Sequence, residues 1–145
     1  MRDFKEDSEH LIRAYLYQLL IKSHRLYTKI NTQLNVKLLT NKYLLQFRHE
    51  LERSIKDHSD VQYYADFLGI SRVYFNKICN DFYSKTATQV IKERLALEAK
   101  KELLYTVKTI SEIAYELHFS DPPNFIRFFK QMTGQTPQQF RDLSK

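Results

Sequence analysis

Two cationic side chains occur in matching surroundings 50 residues apart in a chain of 145 residues. Lys77 and Arg127 each stand two places after a phenylalanine, Phe75 or Phe125, in a stretch with apolar residues at helical spacing. The planar fork of arginine matches the two acceptors on the major-groove edge of guanine, and a lysine ammonium donates to guanine or to phosphate. The two cations therefore indicate a polyanionic partner whose base edges can be recognised.

Neutral side chains near the two cations could extend this chemistry. Asn76 carries a donor and an acceptor that match adenine, and Val73 could touch the methyl group of thymine. Asn124 lies about one helical turn before Arg127. The candidate base-contacting residues are therefore Val73, Asn76, Lys77, Asn124 and Arg127.

Apolar spacing assigns these candidates to the outer sides of two helices. The side chains expected to face inward are Phe75, Ile78, Phe82, Phe125, Phe128, Phe129 and Met132. The first helix then keeps four residues on its outer side, which are Arg72, Val73, Asn76 and Lys77. Each helix is thus predicted to have one face that packs against the core and one face that binds the polyanionic partner.

The two helices belong to an internal repeat. The segment ADFLGIS, 65–71, matches AYELHFS, 114–120, at an offset of 49 residues, and after one inserted residue the offset becomes 50. Each copy predicts a short helix, a turn that holds Gly69 or His118, and a second helix of about a dozen residues. This is the helix-turn-helix arrangement, whose second helix enters the major groove of DNA. The two units are expected at about 60–83 and 109–133.

Capping residues indicate where the helices begin. The first unit is expected to start at Ser59 or Asp60, and the second at Thr109, whose Glu112 completes a capping box. Two threonines that follow the second helices can each cap a further helix, and they are Thr86 and Thr136.

Residues on or beside the second helices are candidates for contacts with phosphate. The two serines among them are expected as helix caps that can also touch phosphate. Asp121 precedes Pro122 and Pro123, and the two prolines remove two backbone donors from a helix end that could otherwise bind phosphate. The alternative is that Asp121 caps the helix and that Pro122 occupies its first position for stability alone. The candidates for contacts with the DNA backbone are Ser71, Arg72, Ser120 and Lys130.

The rest of the chain is also expected to be helical, because it holds only 2 glycines and 3 prolines. A long helix over 90–104 would connect the two units, and another helix would run from Thr40 or Asn41 to Ile55. The polar segment 31–41 is expected to be a linker. The predicted fold is therefore all-α, with residues 1–39 as an amphipathic helix and linker and residues 40–145 as the binding domain.

Composition limits the class of protein. The net charge is +6 and the isoelectric point about 9.3, but the segment from Thr40 onward holds 16 basic and 13 acidic side chains, a net charge of only +3. No apolar run approaches the roughly 18 residues of a membrane span, and the single Cys79 excludes an internal disulfide. The five histidines share no spacing that would put two metal ligands on one helix face. We therefore expect a cytoplasmic protein without a metal, a cofactor or a membrane partner.

The segment 110–141 resembles the AraC/XylS family of bacterial transcriptional regulators, and the resemblance extends over roughly 40–141. The matching residues are Ala114, Leu117, Phe119, Arg127, Phe129, Lys130, Gly134, Thr136, Pro137, Phe140 and Arg141. Two positions depart from the family pattern, because His118 replaces the turn glycine of the second unit and Ser84 replaces the glycine after the second helix of the first. Histidine tolerates a positive φ better than most residues, so neither change should threaten the fold.

The resemblance implies a sequence-specific regulator of transcription that binds double-stranded DNA and recruits or blocks RNA polymerase. It also implies that Val73, Asn76 and Lys77 fall on the family's base-contacting positions. Two different recognition helices on one chain would enter successive major grooves, so the expected DNA site is asymmetric. Members of the family usually carry an N-terminal sensing or dimerising domain, and residues 1–39 would be either a remnant of one or part of a short regulator.

Several alternatives remain open at this level. The apolar stripe over 11–20 would either form a helical homodimer or dock onto the domain's own surface. The chain could be a protein-interaction module whose helix-turn-helix units have lost DNA binding. Stacking of the 10 tyrosines and 10 phenylalanines on single-stranded nucleic acid is disfavoured by their core spacing. An enzyme is disfavoured because the sequence shows no paired acid and base, phosphate-binding glycine loop or metal cluster.

Overall fold

The computed structural model describes the backbone of residues 3–143 and the side chains of residues 11–143. Residues 1–2 and 144–145, the outer ends of the two expected domains, lie outside it. The described residues form seven α-helices and no strand, which confirms the predicted all-α class. The helices are α1 Asp3–Ser54, α2 Val61–Leu68, α3 Arg72–Tyr83, α4 Ala87–Tyr105, α5 Ile110–Glu116, α6 Pro122–Thr133 and α7 Pro137–Leu143.

The chain divides into two compact units, Met1–Lys42 and Tyr43–Lys145. The expected linker over 31–41 is wrong, since this segment lies within the 52-residue helix α1. It contains no proline or glycine, and each asparagine costs a helix only a few tenths of a kcal/mol relative to alanine, about 0.7 at most. The polar composition that suggested a loop is therefore compatible with a continuous helix.

Within the first unit, α1 exposes a large amount of apolar surface. Leu16 is 53% exposed and Leu19 is 63% exposed, where a core position would be below a tenth. The exposed apolar side chains between residues 11 and 39 are Leu11, Ile12, Tyr15, Leu16, Tyr17, Leu19, Leu20, Ile21, Leu26, Tyr27, Ile30, Leu34, Val36, Leu38 and Leu39. Their number and continuity distinguish this segment of α1 from the scattered apolar residues of an ordinary surface.

The second unit contains the predicted repeat, with α2 and α3 in one copy and α5 and α6 in the other. The turns match in detail, because Gly69 has φ of 65° and His118 has φ of 57°. In each turn the next residue donates a hydrogen bond back across the end of the first helix, from Ile70 N to Ala65 O at 3.1 Å and from Phe119 N to Ala114 O at 2.9 Å. In both copies the first helix is therefore ended by a residue in the left-handed backbone conformation.

Side-chain caps fix the start of each helix in the repeat. Asp60 caps α2, Ser71 caps α3 and Thr109 caps α5 with the capping box expected from Glu112. For α6 the cap is Asp121 rather than a serine. The expectation that Ser120 caps this helix is wrong, because the inserted residue moves the cap one place along the chain.

The core of the second unit is built around α4, whose buried face contains Ile91, Leu95, Ala99 and Leu103. This helix packs against α3 of the first copy and against α5, α6 and α7 on the side of the second. Phe47 of α1 and Phe75 of α3 meet edge to face, with ring centroids 4.9 Å apart. Because one connected core joins buried residues of both copies, the two helix-turn-helix units form a single packed domain.

A chain of ion pairs runs over the same helices. Arg94 of α4 pairs with Glu52 of α1 at 2.8 Å and with Glu98 of α4 at 2.9 Å. Lys56, after the end of α1, pairs with Glu102 and lies 3.6 Å from Glu98. Lys108 then joins two carboxylates, Glu102 on α4 and Glu116 on α5. This alternating series links the end of α1 to the first helix of the second copy.

No helix among the described residues combines the length and the apolar character needed to cross a membrane.

Candidate nucleic-acid interface

The start of α3 presents a convex polar surface. Phe75, Ile78 and Cys79 are buried and fix the helix on the core. On the opposite side Arg72 and Lys77 are exposed, and Val73 is 81% exposed. Neither cation forms an ion pair with any described side chain, so both remain available to an anionic ligand.

Asn76 behaves differently from its neighbour Lys77. Its side chain is half-buried, and its Oδ1 accepts a hydrogen bond from the backbone N–H of Ala87 at 3.0 Å. A backbone N–H can only donate, so this contact fixes which end of the carboxamide faces Ala87. The Nδ2 group is left as the free donor of this side chain.

The exposed side of α6 carries the corresponding cation. Phe125 and Phe129 are fully buried, while Arg127 and Lys130 are exposed and have no ion-pair partner among the described side chains. Arg127 lies 50 residues after Lys77 and occupies the same place relative to the buried phenylalanine of its helix. The two copies therefore present one cation each at an equivalent, open position.

Asn124 is engaged in the cap of α6. Its Nδ2 donates to Ser120 Oγ at 2.8 Å and to Asp121 Oδ2 at 2.8 Å, and its backbone N–H donates to Asp121 Oδ1 at 2.7 Å. This network leaves the Oδ1 of Asn124 as its available group. Asn76 and Asn124 thus offer opposite functions to a ligand, a donor in the first copy and an acceptor in the second.

The two helix starts also differ in their capacity to bind phosphate. In α3 the Ser71 Oγ accepts from Tyr74 N at 3.2 Å, and the remaining first-turn donors are backbone N–H groups. In α6 the first two positions are Pro122 and Pro123, which have no N–H. The start of α6 can therefore supply fewer main-chain donors than the start of α3.

One of the side chains that were expected to face inward on these two helices is exposed in the structure. Phe82 was expected to face the core, but it is 57% exposed and contacts the ring of Tyr83 edge to face. In the last turn of α3 the next residue, Tyr83, packs against the core. Cys79 occupies the buried position instead, and Phe128 and Met132 in α6 are half-buried.

Within the described residues, no group of three or more His, Cys, Asp or Glu side chains is arranged to hold a metal ion. Cys79 is fully buried, and burial raises the pKa of its thiol to about 12. A thiol in this state is protonated at neutral pH and is a poor nucleophile.

Sequence reasoning missed two features of this surface. The hydrogen bond from Ala87 N to Asn76 Oδ1 joins residues 11 positions apart, and no helical periodicity signals it. The chain of ion pairs on α4 was also missed, although the spacing of Arg94 and Glu98, i and i+4, was a usable signal.

Comparison with protein families and curated proteins places these residues in a known context. Residues 64–142 match the model of a helix-turn-helix domain family. The chain is 27% identical over 111 residues to the bifunctional transcriptional activator/DNA repair enzyme AdaA of Bacillus subtilis, covering 77% of this chain and 53% of that protein. It is 33% identical over 98 residues to the TetD protein of transposon Tn10 from Escherichia coli, covering 68% of each. The chain thus spans between about half and two thirds of the length of these relatives.

Solved structures share the fold of the second unit. A transcriptional regulator with an AraC-type DNA-binding domain from Chromobacterium violaceum superposes with a TM-score of 0.65 at 20% identity, covering 72% of this chain and 93% of that chain. The DNA-binding domain of AdpA, a global transcriptional factor solved in complex with a target DNA, superposes with a TM-score of 0.60 at 18% identity, covering 68% of this chain and 91% of that chain.

Proposed function

Since this chain belongs to the AraC/XylS family of helix-turn-helix DNA-binding transcriptional regulators, we propose that α3 and α6 read two successive major grooves of one DNA duplex. The observation that carries the proposal is the equivalence of Lys77 and Arg127. Both cations are exposed, both lack an ion-pair partner among the described side chains, and both lie on the open side of a second helix. A cation held in this way can exchange water for guanine or phosphate without first breaking an internal contact.

The proposed base-contacting residues are Val73, Asn76, Lys77, Asn124 and Arg127. Lys77 and Arg127 donate to acceptors on guanine, and Val73 packs against a thymine methyl group. Asn76 contributes through its Nδ2 donor and Asn124 through its Oδ1 acceptor, because their other groups hold contacts within the protein. The helix surfaces therefore differ, and the DNA site read by one chain is asymmetric.

The proposed contacts with the DNA backbone are Ser71, Arg72, Ser120 and Lys130. Arg72 and Lys130 supply charge, Ser71 is the cap of α3, and the hydroxyl of Ser120 lies next to Asp121, the cap of α6. Because α6 lacks two main-chain donors at its start, side chains such as Lys130 supply more of the phosphate contacts in the second copy than in the first.

Selection of duplexes from a random pool by the full chain tests the groove reading. The expected result is an asymmetric consensus with two differing half-sites about one helical turn apart, roughly 10 base pairs. Recovery of a symmetric half-site, or of no consensus at all, would contradict the proposal. Binding measured at two salt concentrations separates sequence-selective contacts from general attraction to phosphate.

We further propose that the first unit forms a homodimer through α1. Ile12, Leu16, Leu19, Leu26 and Ile30 follow one another at alternating intervals of four and three residues, with Ser23 completing the series. This alternation is the spacing of a left-handed coiled-coil seam, and the five apolar side chains are exposed in a single chain. A second copy would cover the same stripe on each partner and remove both from water.

The partner in transcription is proposed as RNA polymerase, acting in the cytoplasm. The support is family membership and the name of the relative AdaA, a transcriptional activator. Transcription in a purified system from a promoter that contains the selected DNA site would show whether the chain raises or lowers the output. An unchanged output with saturated DNA would contradict a direct effect on the polymerase.

A further inference from the structure

The start of α4 is closed by a capping box and by one hydrogen bond that comes from outside the helix. Thr86 and Gln89 form a reciprocal capping box, in which Thr86 N donates to Gln89 Oε1 at 2.9 Å and Gln89 N donates to Thr86 Oγ1 at 3.2 Å. The first residue of the helix, Ala87, is fully buried, and its N–H has no acceptor within the helix. The Oδ1 of Asn76, in the middle of α3, accepts this hydrogen bond.

The second copy of the repeat closes its last helix differently at one point. Thr136 and Gln139 form the same pair of contacts at the start of α7, with N to Oε1 at 2.9 Å and N to Oγ1 at 3.3 Å. The position of Ala87 is held by Pro137, which has no N–H. The position of Asn76 is held by Ile126, which has no acceptor. The donor and its acceptor are therefore both present in the first copy and both absent in the second.

We infer that Asn76 is a positioning residue, whose carboxamide fastens the recognition helix α3 to the start of the connecting helix α4. The contact is needed only where the first residue of the following helix has an N–H to satisfy, which explains why Ile126 suffices in the second copy. Since α4 also packs against α5 and α6, the Asn76 contact helps to set α3 relative to α6. A side chain used in this way cannot pair with adenine through both of its groups.

A thermodynamic cycle in the full chain tests the positioning role. Asn76→Ile leaves the buried N–H of Ala87 without an acceptor and is expected to lower the folding equilibrium constant about five- to thirtyfold. In the background of Ala87→Pro, the same substitution should cost much less, because the donor is gone. The backbone accepts a proline here, since Thr86 already has φ of −69° and ψ of 155°.

Asn76→Asp is the matched control, because its carboxylate keeps the acceptor and places a negative charge at a helix start. Its folding equilibrium constant is expected to stay close to that of the wild type in urea titrations. Equal cost of Asn76→Ile in both backgrounds would overturn the inference. So would an Asn76→Asp variant that is as unstable as Asn76→Ile, and this comparison holds even if Ala87→Pro does not fold.

A DNA measurement separates positioning from stability alone, and this part rests on the proposed groove reading. One base pair is inserted between the two selected half-sites, and the loss of affinity is measured at a temperature where every variant is folded. Ala87→Pro removes the same hydrogen bond without changing a proposed base-contacting side chain. It is expected to reduce this loss by about twofold or more relative to the wild type, because α3 is held less firmly. An identical loss in Ala87→Pro and the wild type would leave the Asn76 contact with a role in stability only and would overturn positioning. If the wild type selects no duplex, the groove reading fails while the stability cycle still decides the contact.

Discussion

Lys77 and Arg127 occupy equivalent positions of α3 and α6, and each is an exposed cation without an ion-pair partner among the described side chains. Replacing either by alanine is expected to weaken specific DNA binding by about 1–3 kcal/mol and to relax the preference at a few base pairs of one half-site. Titration of the selected duplex and of its single-base variants measures both effects. Lys101→Ala removes the same charge from α4 and should change neither. A uniform loss across all duplexes would assign the cations to phosphate instead.

Ser84 and His118 both adopt a left-handed backbone conformation, with φ of 54° and 57°. Ser84→Gly is expected to stabilise the chain by about 0.5–1 kcal/mol, because glycine adopts this conformation without the strain of a Cβ. His118→Gly should gain less, since histidine tolerates the region better and the substitution also removes the 3.4 Å approach of His118 to Asp57. Urea unfolding followed by circular dichroism gives both values.

Gly69 and Gly134 provide the converse experiment. A Cβ added to either would meet no atom within 4 Å, so the cost of alanine arises from the positive φ alone. Gly69→Ala and Gly134→Ala are each expected to destabilise the chain by about 1 kcal/mol. If they were neutral while Ser84→Gly also had no effect, backbone strain at these turns would be too small to matter.

Lys56 is expected to stabilise the domain through the carboxylates around it. Lys56→Met should lower the free energy of unfolding by about 1 kcal/mol at pH 7, a modest value because Lys56 remains 39% exposed and is screened by water. Lys101→Met is the control, since Lys101 is 58% exposed and its one ion pair among the described side chains is with Glu98, at 3.3 Å. Equal stability of the Lys56 variant and the wild type would show that the remaining cations suffice for the carboxylates.

The contact between Lys56 and Glu102 makes the free energy of unfolding depend on pH. The hydrogen bond from Lys56 holds the pKa of Glu102 below its usual 4.5, against the opposing effect of burial. A lowered carboxyl pKa contributes stability that is present above pH 4.5 and is lost as the pH falls through the folded-state value. The difference in unfolding free energy between wild type and Lys56→Met should therefore shrink as the pH is lowered below 4.5. A difference that stays constant down to pH 2 would refute the assignment.

Two substitutions on α1 address the homodimer. Leu16→Glu with Leu19→Glu places charge on the proposed seam and should convert a species of twice 17.5 kDa into one of 17.5 kDa in sedimentation. Gln18→Glu adds a negative charge at an exposed position outside the seam and should leave the mass unchanged. A wild-type chain that sediments with a single-chain mass at high concentration would contradict the dimer.

Cys79 reports on the opening of the core. Because its thiol is buried and its pKa is raised to about 12, reaction with a thiol reagent at pH 8 should be at least about a thousandfold slower in the folded chain than in urea. Mass spectrometry follows the modification over time. Rapid labelling without urea would show that α3 separates from the core in the folded protein.

The repeat made much of the domain predictable from sequence. Capping residues such as Thr109 and Asp60 act on nearby backbone groups, and the apolar spacing of residues such as Phe75 and Phe125 reflects one helix at a time. These local signals determined where the helices begin and which sides they bury. The two unusual turn residues, Ser84 and His118, were found because each replaces a glycine of the AraC/XylS family pattern.

Features that depend on contacts distant in sequence were not predictable in this way. The role of Asn76 follows from a backbone donor in another helix, and its amide chemistry alone suggested a base contact. Phe82 has the spacing of a core residue, but it is exposed, and Tyr83 packs against the core in the last turn of α3 instead. The polar segment 31–41 was misassigned because composition indicates a loop only weakly when proline and glycine are missing.

The central place of α4 has a consequence for how the domain unfolds. Ile91 and Leu103 lie at opposite ends of its buried face, within a core whose members come from both copies of the repeat. Neither half can keep this face covered if the other half is lost, so local melting of one copy exposes apolar surface of the other. The two copies should therefore melt together in one cooperative transition, and a protein cut between them should yield two fragments that are each unfolded.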